Sequence, residues 1–139
     1  MEKVATARVI FGETDAMGIV YYANYLKWFE MGRAELMRRR GLAYLDLTRR
    51  GVHLPVTRAE VRYLSPARYD DVLAIRAEVR GMGRASVTFG YRIEREDGTP
   101  LADGSTVHAF TDADGRVVRV PPGFPLRAAS IDTSGEEGG

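Results

Sequence analysis

Asp15 sits in a glycine-containing loop, Phe11-Gly12-Glu13-Thr14-Asp15-Ala16-Met17-Gly18, that runs straight into the apolar stretch Ile19-Val20-Tyr21-Tyr22-Ala23-Asn24-Tyr25. A carboxylate close to helix N-terminal amides, with apolar residues on both sides, lies where charge and water are controlled, as acyl transfer requires. The plainer role for the same residue is a cap or turn, because aspartate before a helix is favoured for local hydrogen bonding. Residue types alone lean toward the cap.

The other reactive side chains offer less. The chain has no cysteine, which excludes disulfides, thiolate nucleophiles, iron–sulfur clusters and cysteine-ligated zinc. His53 and His108 are the only histidines, and neither stands at metal-ligand or triad spacing; both read as structural. Gly81-Met82-Gly83 lacks the third glycine and the following helix of a dinucleotide loop, so it reads as a hairpin. No Gly-x-Ser-x-Gly elbow is present. Glu30 and Arg33, three apart, suit an ion pair on a helix. Arg38-Arg39-Arg40 and Arg49-Arg50 suit solvated helix ends, and Arg58 and Arg62 a charged strand face.

The elements that must position Asp15 follow from periodicity. Residues 4–11 are short and β-branched and predict a strand that delivers the chain to the loop. From 22 to 40, Tyr22, Tyr25, Leu26, Phe29, Gly32, Leu36 and Met37 recur at steps of three and four, and Gly41 supplies a stop. Trp28 and Met31 widen that stripe, predicting a helix buried on most sides. A short helical piece follows over 44–50.

The period then changes to two. Thr57, Ala59, Val61 and Tyr63 alternate with Arg58, Glu60 and Arg62, predicting one dry and one charged face. Strands around Leu73 to Val79, Val87 to Ile93 and Leu101 to Thr111 repeat the scheme, with Asp97-Gly98 as a hairpin turn. A second pair, Asp114-Gly115, leads into Arg116 to Val120 before prolines end regular structure. The result is an α+β architecture, an antiparallel curled sheet of five to six strands around one long helix. Residues 1–127 form one domain, and 128–139 read as a flexible tail.

Composition agrees with one soluble domain. The 139 residues are 28% charged and 45% hydrophobic, with a formal net charge of +1. That balance gives no general pull toward nucleic acid or a membrane surface. The N-terminal residues lack the apolar core of a signal peptide and no run reaches membrane-span length, which points to the cytoplasm.

The segment from Phe11 to Glu30, with Tyr69-Asp70-Asp71-Val72-Leu73 and Arg84-Ala85-Ser86 behind it, resembles the signature of the 4-hydroxybenzoyl-CoA thioesterase family of hot-dog proteins. The resemblance spans about residues 3 to 125. It implies a hot-dog fold, a homodimer usually paired again into a tetramer, and hydrolysis of an acyl-CoA thioester between subunits with no metal or organic cofactor. It implies that Asp15 is nucleophile or general base, that the Tyr22 backbone N–H binds the thioester oxygen, and that Arg84 and Ser86 meet the pantetheine and phosphate part of the ligand. Many small bacterial relatives carry histidine where Tyr22 stands, while the 4-hydroxybenzoyl type carries an aromatic residue. Two other activities stay open: an enoyl-CoA hydratase or dehydratase, which needs a histidine working with a carboxylate, and a non-catalytic acyl-CoA binding module.

Overall fold

The computed structural model describes residues 1–126; the tail expected at 128–139 lies outside the described residues. Five strands, β1 (Glu2–Arg8), β2 (Val56–Tyr63), β3 (Val72–Met82), β4 (Ser86–Arg95) and β5 (Pro100–Ala109), form one antiparallel sheet in the order β1-β3-β4-β5-β2. The long helix α1 (Asn24–Arg39) lies across its inner face, and a short helix α2 (Tyr44–Arg49) follows. This is the curled sheet around one helix that the hydrophobic spacing demands.

The core forms where α1 meets the central strands. Trp28, Phe29, Leu36 and Met37 are buried against Ile75, Ala77, Phe89 and Tyr91. Phe29 stacks on Tyr91 with ring centroids 4.3 Å apart and planes 8° from parallel. Gly32 lets the helix come this close, since a Cβ there would lie 3.0 Å from the Ile75 Cγ2 atom. Gly104 is tighter still: a Cβ would lie 2.1 Å from the Glu60 carbonyl oxygen of β2 and 2.8 Å from Phe29. Glycine at 104 is therefore a packing requirement, and at 32 a side chain would need Ile75 to give way.

Several expectations need correction. The helix starts at Asn24, two residues later than expected, because Tyr21 to Ala23 make a turn in which the Asn24 N–H bonds the Tyr21 carbonyl. Leu26 and Met31 are exposed, so α1 buries one face and not most sides. The first strand ends at Arg8, and Ile10 and Phe11 are exposed around a 3-10 turn, Phe11–Glu13. β2 has no dry face in the single chain: it is an edge strand, and of its eight residues only Val61 is partly covered.

A sixth strand does not form among the described residues. The Asp112 to Arg116 turn closes, but beyond it the Val118 N–H bonds the Phe110 carbonyl and the Val120 N–H bonds the Arg84 carbonyl. Bonds to two separate segments leave a single bridge, Thr111 to Val117, in place of a ladder.

Candidate active site

Asp15 is held by a tight hairpin. Thr14 bridges Val20, the Asp15 N–H bonds the Ile19 carbonyl at 2.9 Å, and the Gly18 N–H returns to the Asp15 carbonyl at 2.9 Å. Gly18 adopts φ +80°, the left-handed residue that a three-residue hairpin loop closes with. The Asp15 carboxylate accepts the Met17 N–H through Oδ1 at 2.9 Å, so one oxygen fixes the loop. No hydrogen bond occupies the other among the described residues. The side chain is only partly covered, and its charge reaches the neighbouring Tyr21 phenol. That phenol is pushed above the ordinary tyrosine value, first by its hydrogen bond and charge interaction with Tyr22, then by desolvation, and last by Asp15.

Glu13 joins this hairpin to the helix. Its carbonyl accepts the Tyr21 N–H at 2.8 Å and the Asn24 side-chain amide at 2.9 Å. Its carboxylate accepts the Ile10 N–H at 2.8 Å and pairs with Lys27 on the first turns of α1. Asn24 thus supports backbone. The Glu13 brace went unrecognised in the sequence, although Ile10-x-x-Glu13 has the spacing of a glutamate that returns to the start of its own turn. On the other side, the Val20 N–H bonds the Ala67 carbonyl at 2.8 Å and Ile19 bridges Arg68. The Asp71 carboxylate takes the Arg68 N–H at 2.9 Å and Arg95 Nε at 3.3 Å, which clamps that support.

The Tyr22 N–H makes no hydrogen bond among the described residues, at a point where helix-start amides leave unpaired donors and partial positive charge. The Tyr22 carbonyl, by contrast, is held by the Tyr63 hydroxyl, which donates to it at 3.1 Å. Beside it opens an apolar cleft of about 320 Å³ lined by Ile19, Val20, Tyr22, Tyr25, Tyr63 and Leu64. Tyr22 thus carries an unbonded backbone donor at an apolar recess, and the hairpin that holds Asp15 precedes it in the chain.

The remaining candidates fall elsewhere. β3 begins at Val72, paired with Arg8 near the hairpin, and its 11 residues run about 33 Å to the far end of the sheet. Arg84 and Ser86 stand at that far end, Arg84 exposed in the β3–β4 turn. The single chain does not bring them to Asp15. His53 pairs through its backbone with Thr111. His108 is buried, with Nδ1 on the Leu54 carbonyl at 2.9 Å and Nε2 on the Thr106 hydroxyl at 2.8 Å. Neither histidine has a carboxylate partner among the described residues. Glu30 and Arg33 form no ion pair, contrary to their spacing; Glu30 is exposed, and the Arg33 charge acts on Tyr91 and His108. Arg58 and Arg62 are paired with Glu60 and Asp103.

Known proteins resemble this chain in sequence and in fold. The model of the thioesterase-like superfamily matches residues 9–129. The acyl-CoA thioester hydrolase YbgC of Escherichia coli O157:H7 is 33% identical over 105 residues, covering 76% of this chain and 78% of that protein. The DHNA-CoA thioesterase of Staphylococcus aureus superposes with a TM-score of 0.82 at 29% identity, over 87% of this chain and 82% of that one. A 4-hydroxybenzoyl CoA thioesterase mutant complexed with 4-hydroxybenzoyl CoA superposes with a TM-score of 0.78 at 25% identity, over 86% and 93%. On its sequence, its curled sheet and its helix, the chain belongs to the thioesterase-like superfamily and has the hot-dog fold.

Proposed function

We propose that this chain hydrolyses acyl-CoA thioesters, with the Asp15 carboxylate and the Tyr22 backbone N–H as its working groups. What supports this is the hairpin itself: Asp15, with one carboxylate oxygen unbonded among the described residues, sits on a turn fixed by Glu13 that leads into α1, where Tyr22, whose N–H is also unbonded among the described residues, lines an apolar cleft. The thioester carbonyl oxygen accepts the Tyr22 N–H, and the negative charge that develops on it is met by the helix start. Asp15 either attacks the carbonyl carbon or takes a proton from the water that does so. In both cases the carbon–sulfur bond breaks and the thiolate leaves as coenzyme A; on the first route a water then cleaves the Asp15–acyl anhydride, on the second the attacking water has already supplied the oxygen, and the acyl group departs as the acid.

The same reading includes assembly. β2 is an exposed edge strand, with unpaired backbone groups along its outer side. Antiparallel pairing of β2 with a second copy about a twofold axis places the far end of one sheet beside the hairpin end of the other. Arg84 and Ser86 of the partner subunit then approach Asp15, and two such dimers make the tetramer. Thiol release from a panel of aromatic and aliphatic acyl-CoA esters tests the activity. Hydrolysis of at least one ester supports it, and tight binding of all of them without thiol release contradicts it.

A further inference from the structure

Asp71 holds the Asp15 hairpin at both of its ends. Its backbone carbonyl accepts the Val9 N–H at 2.9 Å and the Val9 carbonyl accepts the Asp70 N–H at 2.9 Å, which fixes the chain as it leaves β1 for the hairpin. Its carboxylate acts on the exit. Oδ2 accepts the Arg68 N–H at 2.9 Å and Arg95 Nε at 3.3 Å, and Arg95 Nη2 donates to the Pro66 carbonyl at 3.0 Å. The segment 66–68, gripped in this way, carries the second arm of the hairpin: the Ala67 carbonyl accepts the Val20 N–H at 2.8 Å, and Arg68 bridges Ile19.

Both side chains of this clamp are mostly covered, Arg95 28% and Asp71 23% exposed, so the pair is screened less than one in open solvent. The turn that presents Asp71 is itself held in an uncommon form. The Asp71 N–H bonds the Arg68 carbonyl at 3.1 Å, and Asp70 adopts φ +71°, a conformation that persists in a residue other than glycine where surrounding contacts hold it. Ile19 and Val20, on the hairpin side, and Ser65 and Pro66, on the gripped side, all line the apolar cleft at Tyr22. Asp71 and Arg95 do not line it. They stand behind it, where a change in their bonds moves one wall and the Asp15 arm against the other. Displacement of a catalytic group by about 1 Å is enough to cost up to about 10²-fold in rate.

We propose that Asp71 and Arg95 are positioning residues for thioester hydrolysis: as one ion pair they set where the Asp15 hairpin stands against the 65–66 wall of the cleft, and act on kcat without meeting the substrate. The inference rests on the thioesterase reading above. The experiment measures thiol release from an acyl-CoA ester that wild type hydrolyses, by Asp71→Asn, Arg95→Met and the double variant. Asp71→Asn keeps an acceptor for the Arg68 N–H and removes the charge that holds Arg95. Each single variant is expected to lose about tenfold in kcat, with kcat and kcat/KM falling together. The double variant is expected to lose no more than the worse single, because the two residues act as one unit. A pair that serves stability alone lowers the melting temperature and leaves the kcat of the folded protein unchanged. An unchanged kcat in the single variants overturns the proposal, as does a loss in the double variant equal to the product of the two single losses; either leaves the thioesterase reading intact. No thiol release by wild type from any acyl-CoA ester overturns both. If the single variants do not fold, Arg95→Lys decides. An ammonium does not reproduce the planar fork that reaches the Asp71 carboxylate and the Pro66 carbonyl together, so its kcat is expected to fall below that of wild type, and an unchanged kcat overturns the proposal.

Discussion

The Tyr63 hydroxyl of edge strand β2 donates a hydrogen bond to the Tyr22 carbonyl oxygen at 3.1 Å. This contact ties the turn that opens α1 to the sheet, and with it the residue whose N–H is left without a partner among the described residues. Tyr63→Phe removes the bond and keeps the ring packing against Tyr25, whose centroid is 5.3 Å away. The expected result is a fall in kcat of up to about tenfold with stability reduced by no more than about 1.5 kcal/mol. Steady-state kinetics and thermal melting check it; an unchanged kcat contradicts a positioning role for Tyr63.

Glu13 bears on the same site from the other side. Its carboxylate is almost fully buried and holds the Ile10 N–H as well as Lys27. Glu13→Ala leaves that N–H without its partner and is expected to cost about 1–3 kcal/mol, with loss of activity as the Asp15 hairpin loosens. Glu13→Gln keeps an acceptor for Ile10 and is expected to lose less on both counts. Denaturant titration of the two variants checks the order, and an alanine variant as stable as wild type refutes the brace.

His108 gives the protein an acid-side weakness. Burial holds its pKa below the ordinary histidine value, the hydrogen bond with the Leu54 backbone opposes that, and the Arg33 charge adds to it. The unfolded chain therefore binds a proton more readily than the folded one as pH falls below about 6.5. The contribution of a neutral His108 is fully present above that value and is lost as pH falls toward the folded pKa. His108→Gln, melted at about pH 7.5 and about pH 5.5, is expected to lose less stability between the two than wild type does. Equal losses contradict the assignment.

Much of this architecture was legible in the sequence, for identifiable reasons. The recurrence of Tyr25, Phe29, Gly32 and Leu36 marks the buried face of α1 because the helix period fixes it, and Asp97-Gly98 marks a hairpin because Gly98 sits at φ +92°. The dry face of β2 was not legible, since alternation says which residues share a face and nothing of what covers it; here the strand lies at an edge. Spacing permitted a Glu30–Arg33 pair, but the Arg33 charge acts on Tyr91 and His108, residues far away in the chain. Arg84 and Ser86 stood in the motif beside Asp15, yet the length of β3 sets them at the other end of the sheet. Distance across a sheet is a tertiary quantity that a motif does not carry. Asp15 itself was legible because its loop residues, Gly18 above all, are those its hairpin requires.

The chemistry assigned to Asp15 is tested most directly by Asp15→Asn, which keeps the size of the side chain and an acceptor for the Met17 N–H. With an acyl-CoA ester that wild type hydrolyses, thiol release by the variant is expected to fall about 10²–10⁴-fold in kcat, with the melting temperature close to that of wild type. Equal rates of thiol release from the two proteins would contradict the account and remove Asp15 from the reaction.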